Sequence, residues 1–265
     1  MNKRPQILFL SHGGGPLPLL GDSAHDEMVN CLRTIRGKIT KPSAIIVISA
    51  HWEEDIVNIT ADSHPPLIYD YTGFPPESYE IEYPCTGHPQ LAETVQTLLE
   101  NAGMATELNH ERGFDHGLFV PLKILFPEAD IPCIQVSLLN NLNPEKHIQI
   151  GHALRGIVDE TILVIGSGFS FHNMRAFFTA DTPESRNQNQ QFEAWLTDTC
   201  ADTQIDEVTR EKRLVDWEQA PFARYCHPRE EHLLPLHVCA GMAGKHCEES
   251  FSLKILNKHC SMFLW

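Results

Sequence analysis

Fifteen histidines stand against only 20 lysines and arginines together in this chain of 265 residues. Imidazole is the commonest metal ligand and titrates unaided near neutral pH, so the positions of these residues decide what they could do. Three apolar, strand-like runs each release a polar segment that carries a histidine. Leu8-Phe9-Leu10 leads into Ser11-His12-Gly13, Val47-Ile48-Ser49 into Ala50-His51-Trp52, and Val164-Ile165-Gly166 into a segment ending Phe171-His172-Asn173. In open α/β sheets ligands sit in the crevice beyond the carboxyl ends of the strands. Parallel, neighbouring strands would therefore bring His12, His51 and His172 together. A fourth cluster, from His227 to His237, opens a later helix whose N-terminal turn could bring His232 to the same crevice. Neutral imidazole binds zinc or iron at ~2.0–2.1 Å, and three protein ligands leave positions open for water or substrate.

One histidine after one strand is ordinarily a capped or solvated loop residue; the signal lies in four such positions that would face one pocket. His116, in Phe114-Asp115-His116-Gly117, either contacts substrate or packs at a helix start, with Asp115 placed to orient its ring. His237 follows His232 by five residues, off its helical face, and reads as structural. His25, His64, His88, His110, His147, His152, His246 and His259 read as solvated surface, and His227 stays open. Glycines 13–15, 166 and 168 permit close backbone approach or a positive φ. They match neither GxGxxG nor GxxxxGK[ST], which argues against a nucleotide. The eight cysteines form no CxxC pair and are expected as reduced thiols in a cytoplasmic protein.

These residues need a scaffold. The apolar runs at 6–10, 44–50, 131–136 and 161–165 read as buried strands, and 56–60 as an outer strand. Helices are expected over 24–37, 89–101, 117–126, 144–158, 184–201, 206–218 and 230–243, with one or two strands over 251–264. Between 63 and 87 runs a loop rich in proline and aromatic residues, where Tyr69, Tyr71, Phe74 and Tyr79 either wall a pocket or pack as a lid. Strands alternating with helices and apolar on both faces predict one α/β domain over 1–265, with helices on both faces of its sheet. The net charge of −15 disfavours nucleic acid and anionic lipid as partners, and no run approaches the ~20 apolar residues of a membrane span. The start, with Lys3 and Arg4 before a short apolar run, reads as a strand rather than an export signal.

The motifs LFLSHGGGP, VISAHW, GFDHG, FPEADIPCIQVSL, VIGSGFSFHN and HPREEHLLPLHV, taken in order and spacing from about residue 6 to 243, resemble the DOPA 4,5-dioxygenase-like branch of the class III (LigB-like) extradiol dioxygenases. The resemblance implies a central mixed sheet of the phosphorylase/hydrolase-like kind. It also implies a mononuclear Fe(II) centre, with zinc found in some purified members, that inserts O₂ into a catechol to give a ring-opened semialdehyde. Carried over, the metal ligands fall on His12, His51 and His232, the acid–base residue on His172 and a further active-site histidine on His116. Many class III enzymes use a glutamate as third ligand, and Glu230 and Glu231 lie beside His232. Three neutral imidazoles would leave the ion's charge of +2 uncompensated and favour an anionic catecholate. SHGGGPLPLL departs from the SHGSP of many relatives, at the pocket lining. A catechol and O₂ are the expected partners, and a monomer or homodimer the expected state. A zinc hydrolase on the same three histidines is the alternative reading.

Overall fold

The computed structural model describes residues 5–159 and 161–265; Lys3 and Arg4, part of the N-terminal reading, lie outside them. Eight strands form one sheet: β1 (Gln6–Ser11), β2 (Ala44–Glu54), β3 (Val57–Thr60), β4 (Thr106–Asn109), β5 (Cys133–Leu139), β6 (Ile162–Gly168), β7 (Glu249–Ile255) and β8 (Lys258–Leu264). Their spatial order is β4-β3-β5-β2-β6-β1-β8-β7. The central four, β5, β2, β6 and β1, are parallel. β3 and β8 join them antiparallel on either side, so the sheet is mixed.

Nine α-helices accompany the sheet among the described residues: α1 (Asp26–Arg36), α2 (Pro89–Asn101), α3 (His116–Leu125), α4 (Pro144–Leu154), α5 (Met174–Phe177), α6 (Pro183–Ala201), α7 (Glu207–Val215), α8 (Ala223–Cys226) and α9 (Leu234–Ala243). Ile45, Ile46, Val47 and Ile48 are all buried although their side chains alternate between faces, which requires cover on both sides. α9, backed by α4, packs on β6, β1 and β2, while α3, joined by α1, packs on β2 and β6. α9 is itself buried throughout, as its sequence Leu-Pro-Leu-His-Val-Cys-Ala-Gly-Met-Ala suggests for a helix with no polar face. Among the described residues no helix is long and apolar enough to cross a membrane.

Register decides the site. Ser49 of β2 pairs with Ser167 of β6, and Ser11 of β1 pairs with Gly168, so the pairing of β6 with both neighbours ends at one level. Several expectations change. β2 does not end at Ala50: its pairing with β5 shifts between Ile48 and Glu53 and resumes at Glu53–Leu138, so His51 sits within an irregular stretch of strand. Such irregularities re-aim side chains beside active sites. The outer strand expected at 56–60 is interior, with all four residues of β3 buried between β4 and β5. β4 escaped the sequence reading because Thr-Glu-Leu-Asn is short and polar. The last long helix starts at Leu234 rather than near 230, which leaves His232 in the turn before it.

Candidate metal centre

Five imidazoles meet beyond the carboxyl ends of the parallel strands. His12 follows β1, His51 lies near the end of β2, His116 opens α3, His172 follows β6, and His232 precedes α9. The His12 ring centroid lies 4.8 Å from that of His51, 5.5 Å from His116 and 5.3 Å from His232. His51 is 3.9 Å from His116 and 4.9 Å from His232, and His172 stacks on His232 at 3.4 Å. Ligand atoms of His12, His51 and His116 lie within 4.8 Å of one another, as do those of His172, Glu231 and His232. The three histidines carried over as ligands thus share one cluster, with His116 in the tight group beside His12 and His51, and His232 in the adjoining group. His12, His116 and His232 are buried, while His51 and His172 are half-buried and form the open side.

Partners fix which nitrogen carries each proton. The Ser167 hydroxyl donates to the Gly117 carbonyl, so it can only accept from His12 Nδ1, 3.1 Å away. His232 Nδ1 donates to Glu231 Oε1 at 2.9 Å, and His172 Nδ1 reaches the same oxygen at 3.1 Å. His116 Nδ1 donates to Asp70 Oδ1 at 2.8 Å. His51 Nδ1 lies 3.6 Å from Asp70 Oδ2. Nδ1 of His12, His116, His172 and His232 each meets an acceptor, so these neutral rings keep the Nε2 lone pair free, the form a metal requires; His51 Nδ1 has only the more distant Asp70 oxygen.

The electrostatics agree. Burial, reinforced by repulsion from neighbouring imidazoles, holds His12 and His51 well below the usual histidine range. Burial also lowers His232 to about 3, against the pull of Glu231. Burial alone would raise Glu231, but hydrogen bonds from His172 and His232 outweigh it and keep the carboxyl ionised. Asp70 is likewise lowered by its bond from His116 despite its burial. The donor set fits a divalent ion. His12 and His51 Nε2 approach to 3.0 Å, less than twice the ~2.0–2.1 Å of a metal–imidazole bond, so one ion can reach both. With His12 Nε2 an acceptor, that gap holds either a proton shared from His51 or a cation. Two carboxylates nearby also revise the charge expected from sequence: they offset the +2 that three neutral imidazoles would leave.

Other assignments change. Asp115 does not orient His116; it accepts from Ser49 Oγ at 2.8 Å and Arg112 Nη2 at 3.1 Å, and Asp70, from the long loop, takes that place. The loop is pinned by a bridge between Leu67 and Phe114. Nothing local in Ile-Tyr-Asp-Tyr marks Asp70, since its partner is 46 residues away. His25 and His147 are buried rather than solvated. His25 Nε2 accepts from the Gly14 backbone at 3.0 Å, and His147 Nε2 from that of Leu139 at 3.1 Å. His237 is structural, its Nε2 bonded to the Leu214 carbonyl at 2.7 Å; buried His227 similarly binds the Ser170 carbonyl at 2.6 Å. Gly168 serves packing: a Cβ there would meet the His232 carbonyl at 2.2 Å, and Phe169 N donates to that carbonyl at 2.9 Å. Tyr71 stands edge-on to His116 at 5.7 Å, with Phe74 at 5.4 Å from it, so the aromatic loop reaches the cluster. All eight cysteines are free thiols.

Comparison with known proteins bears on this arrangement. A profile described as the catalytic LigB subunit of aromatic ring-opening dioxygenase matches residues 6–262. The chain is 39% identical over 260 residues to the dioxygenase tasH of Hapsidospora irregularis, covering 92% of this chain and 79% of that protein. It is 36% identical over 248 residues to a 4,5-DOPA dioxygenase extradiol of Beta vulgaris, covering 91% and 88% respectively. The crystal structure of an uncharacterized protein from Escherichia coli K12 superposes with a TM-score of 0.75 at 27% identity, over 98% of this chain and 99% of that one.

Proposed function

The chain belongs to the family of catalytic LigB subunits of aromatic ring-opening dioxygenases and is an extradiol ring-cleavage enzyme; from that premise we propose that it cleaves a catechol, of the DOPA kind or another, with O₂ and a divalent metal. The observation that carries this reading is the convergence of imidazoles whose Nδ1 positions face acceptors, leaving Nε2 lone pairs for one ion. His12, His51 and His232 would hold the metal, Fe(II) for activity, with zinc able to occupy the same donors. When bound, the ion supplies Lewis acidity that lowers a catechol hydroxyl pKa, and proximity between the diol and O₂.

The chain does the rest. His172 is half-buried, its Nδ1 held by Glu231, so its Nε2 can take the second hydroxyl proton and return it as the ring opens. His116, its Nδ1 proton given to Asp70, can accept a hydrogen bond from a substrate hydroxyl at Nε2. Tyr71 and Phe74 offer ring edges and faces to the aromatic substrate; the Tyr71 hydroxyl is committed to the Ser78 carbonyl and serves as wall rather than base. Residues 1–265 act as one catalytic domain in this reading.

Protein loaded anaerobically with Fe(II) and given L-DOPA or another catechol is expected to consume O₂ and form a yellow product. Loss of the reaction across a catechol panel would end the proposal. Activity with zinc as well as with iron, on an ester or amide, would favour the hydrolase alternative.

A further inference from the structure

Two carboxylates each face two imidazoles of the cluster. Glu231 Oε1 accepts from His232 Nδ1 at 2.9 Å and from His172 Nδ1 at 3.1 Å, and those rings lie nearly parallel, 16° apart. Asp70 Oδ1 accepts from both the ring and the backbone N–H of His116, at 2.8 and 3.0 Å, while its Oδ2 faces His51 Nδ1 at 3.6 Å. Each pair joins one histidine proposed to hold metal, His232 or His51, to one proposed to meet substrate, His172 or His116. His12 alone has a hydroxyl partner, Ser167.

The geometry points to Asp70 and Glu231 as positioning residues: Glu231 fastens the metal-side His232 and the substrate-side His172 as one unit, and Asp70 fastens the substrate-side His116 while its second oxygen places a negative charge 3.6 Å from the metal-side His51; this rests on the metal reading above. An Nδ1–H to carboxylate bond fixes tautomer and ring rotation and makes Nε2 a better donor. One oxygen shared by two donors also fixes the rings relative to each other, so metal and proton-handling group keep their spacing. Glu231 is kept free for this task. Its Oε2 has no hydrogen-bond partner among the described residues and faces Arg229 Nη1 at 3.4 Å. Arg229 is already held by two bonds to Glu53 and does not draw the carboxylate off the imidazoles. Asp70 is anchored through the pinned loop at Leu67–Phe114.

The test measures Co(II) affinity of metal-free protein by competition with a chromophoric chelator, together with the visible spectrum of the cobalt form and the melting midpoint of the metal-free form. Asp70→Asn and Glu231→Gln are each expected to weaken Co(II) by about 10–100-fold and alter the cobalt spectrum, with the metal-free midpoint unchanged. His172→Ala is expected to hold Co(II) as the parent does, because His232 keeps its own bond to Glu231. Should an amide variant fail to fold, Glu231→Asp or Asp70→Glu, which keep the charge and displace the oxygen by one methylene, carries the same expectation. Parent protein that binds no Co(II) would overturn the metal reading and this one with it. Parent-like affinity and spectrum in the variants, or a lowered midpoint with parent-like affinity, would overturn the positioning role alone. Loss of Co(II) in His172→Ala equal to that in Glu231→Gln would overturn the division between the two rings.

Discussion

At the scale of single residues, chemistry is set by who receives each ring proton. Ser167 cannot donate to His12, because its own proton goes to Gly117, and this one constraint exposes the His12 Nε2 lone pair. Ser167→Ala should therefore weaken metal binding about tenfold without loss of fold, as read by chelator competition. His172 differs in kind: it is half-buried and stacked on His232 rather than in the tight group of His12, His51 and His116. His172→Ala should lower kcat by about 10²–10⁴-fold, the range of a lost acid–base group, while metal content measured by elemental analysis stays at the parent level. A fully active variant would remove the acid–base role.

Elements hold these residues through contacts that leave no spare volume. β6 lies against the turn carrying His232 so closely that a Cβ on Gly168 would fall 2.2 Å from the His232 carbonyl. Gly168→Ala should cost about 3 kcal/mol through overpacking and weaken metal binding by displacing His232, both measurable by denaturant titration and chelator competition. Gly73 offers the contrast. It has a φ of +81°, and nothing lies within 4 Å of the point a Cβ would occupy. Gly73→Ala should therefore cost only about 1 kcal/mol of backbone strain and leave metal affinity unchanged. Parent-like stability in Gly168→Ala would show that the turn can retreat.

For the whole molecule, buried titratable groups outside the centre shape stability against pH. Burial lowers His25 and His237, lowers His147 to about 4 and lowers His227 to about 3. An unfolded chain binds protons at these positions from about pH 6.5 downward while the native one resists, so their contribution is present above that pH and is lost as pH falls. Burial raises Glu193 to about 8, against its bond from Ser261. Here the native state holds the proton longer, so stability falls as pH rises from about 4.5 to about 8, by on the order of 5 kcal/mol at most. These four histidines outweigh the one glutamate below 6.5, and above it the loss from the glutamate remains, which places the maximum near pH 6.5. Melting midpoints should decline from pH 6.5 to 8 in the parent and stay level over that range in Glu193→Gln. An equal decline in both would assign the slope elsewhere.

The apolar strands, their alternation with the longer helices and the five histidines were legible in the sequence, because apolar runs and residue types are local properties; the short, polar β4 was not. That β1, β6 and β2 are neighbours, that His51 lies within an irregular strand, and that β3 is interior depended on pairing between segments as far apart as Gln6 and Leu163, and no local pattern encodes such pairing. The partners were the least visible part. Asp70 is one acid among 35 acidic residues, and only the fold of the long loop brings it to His51 and His116. His25 and His147 look like surface residues until their backbone partners are seen. Composition and motif order determined by themselves the fold class and the kind of chemistry, since both depend on which side chains the chain possesses and in what order. Proton placement, the pairing of imidazoles by carboxylates and the charge near the ion were decided only in three dimensions, because a hydrogen bond's existence turns on tenths of an ångström between residues the sequence holds far apart.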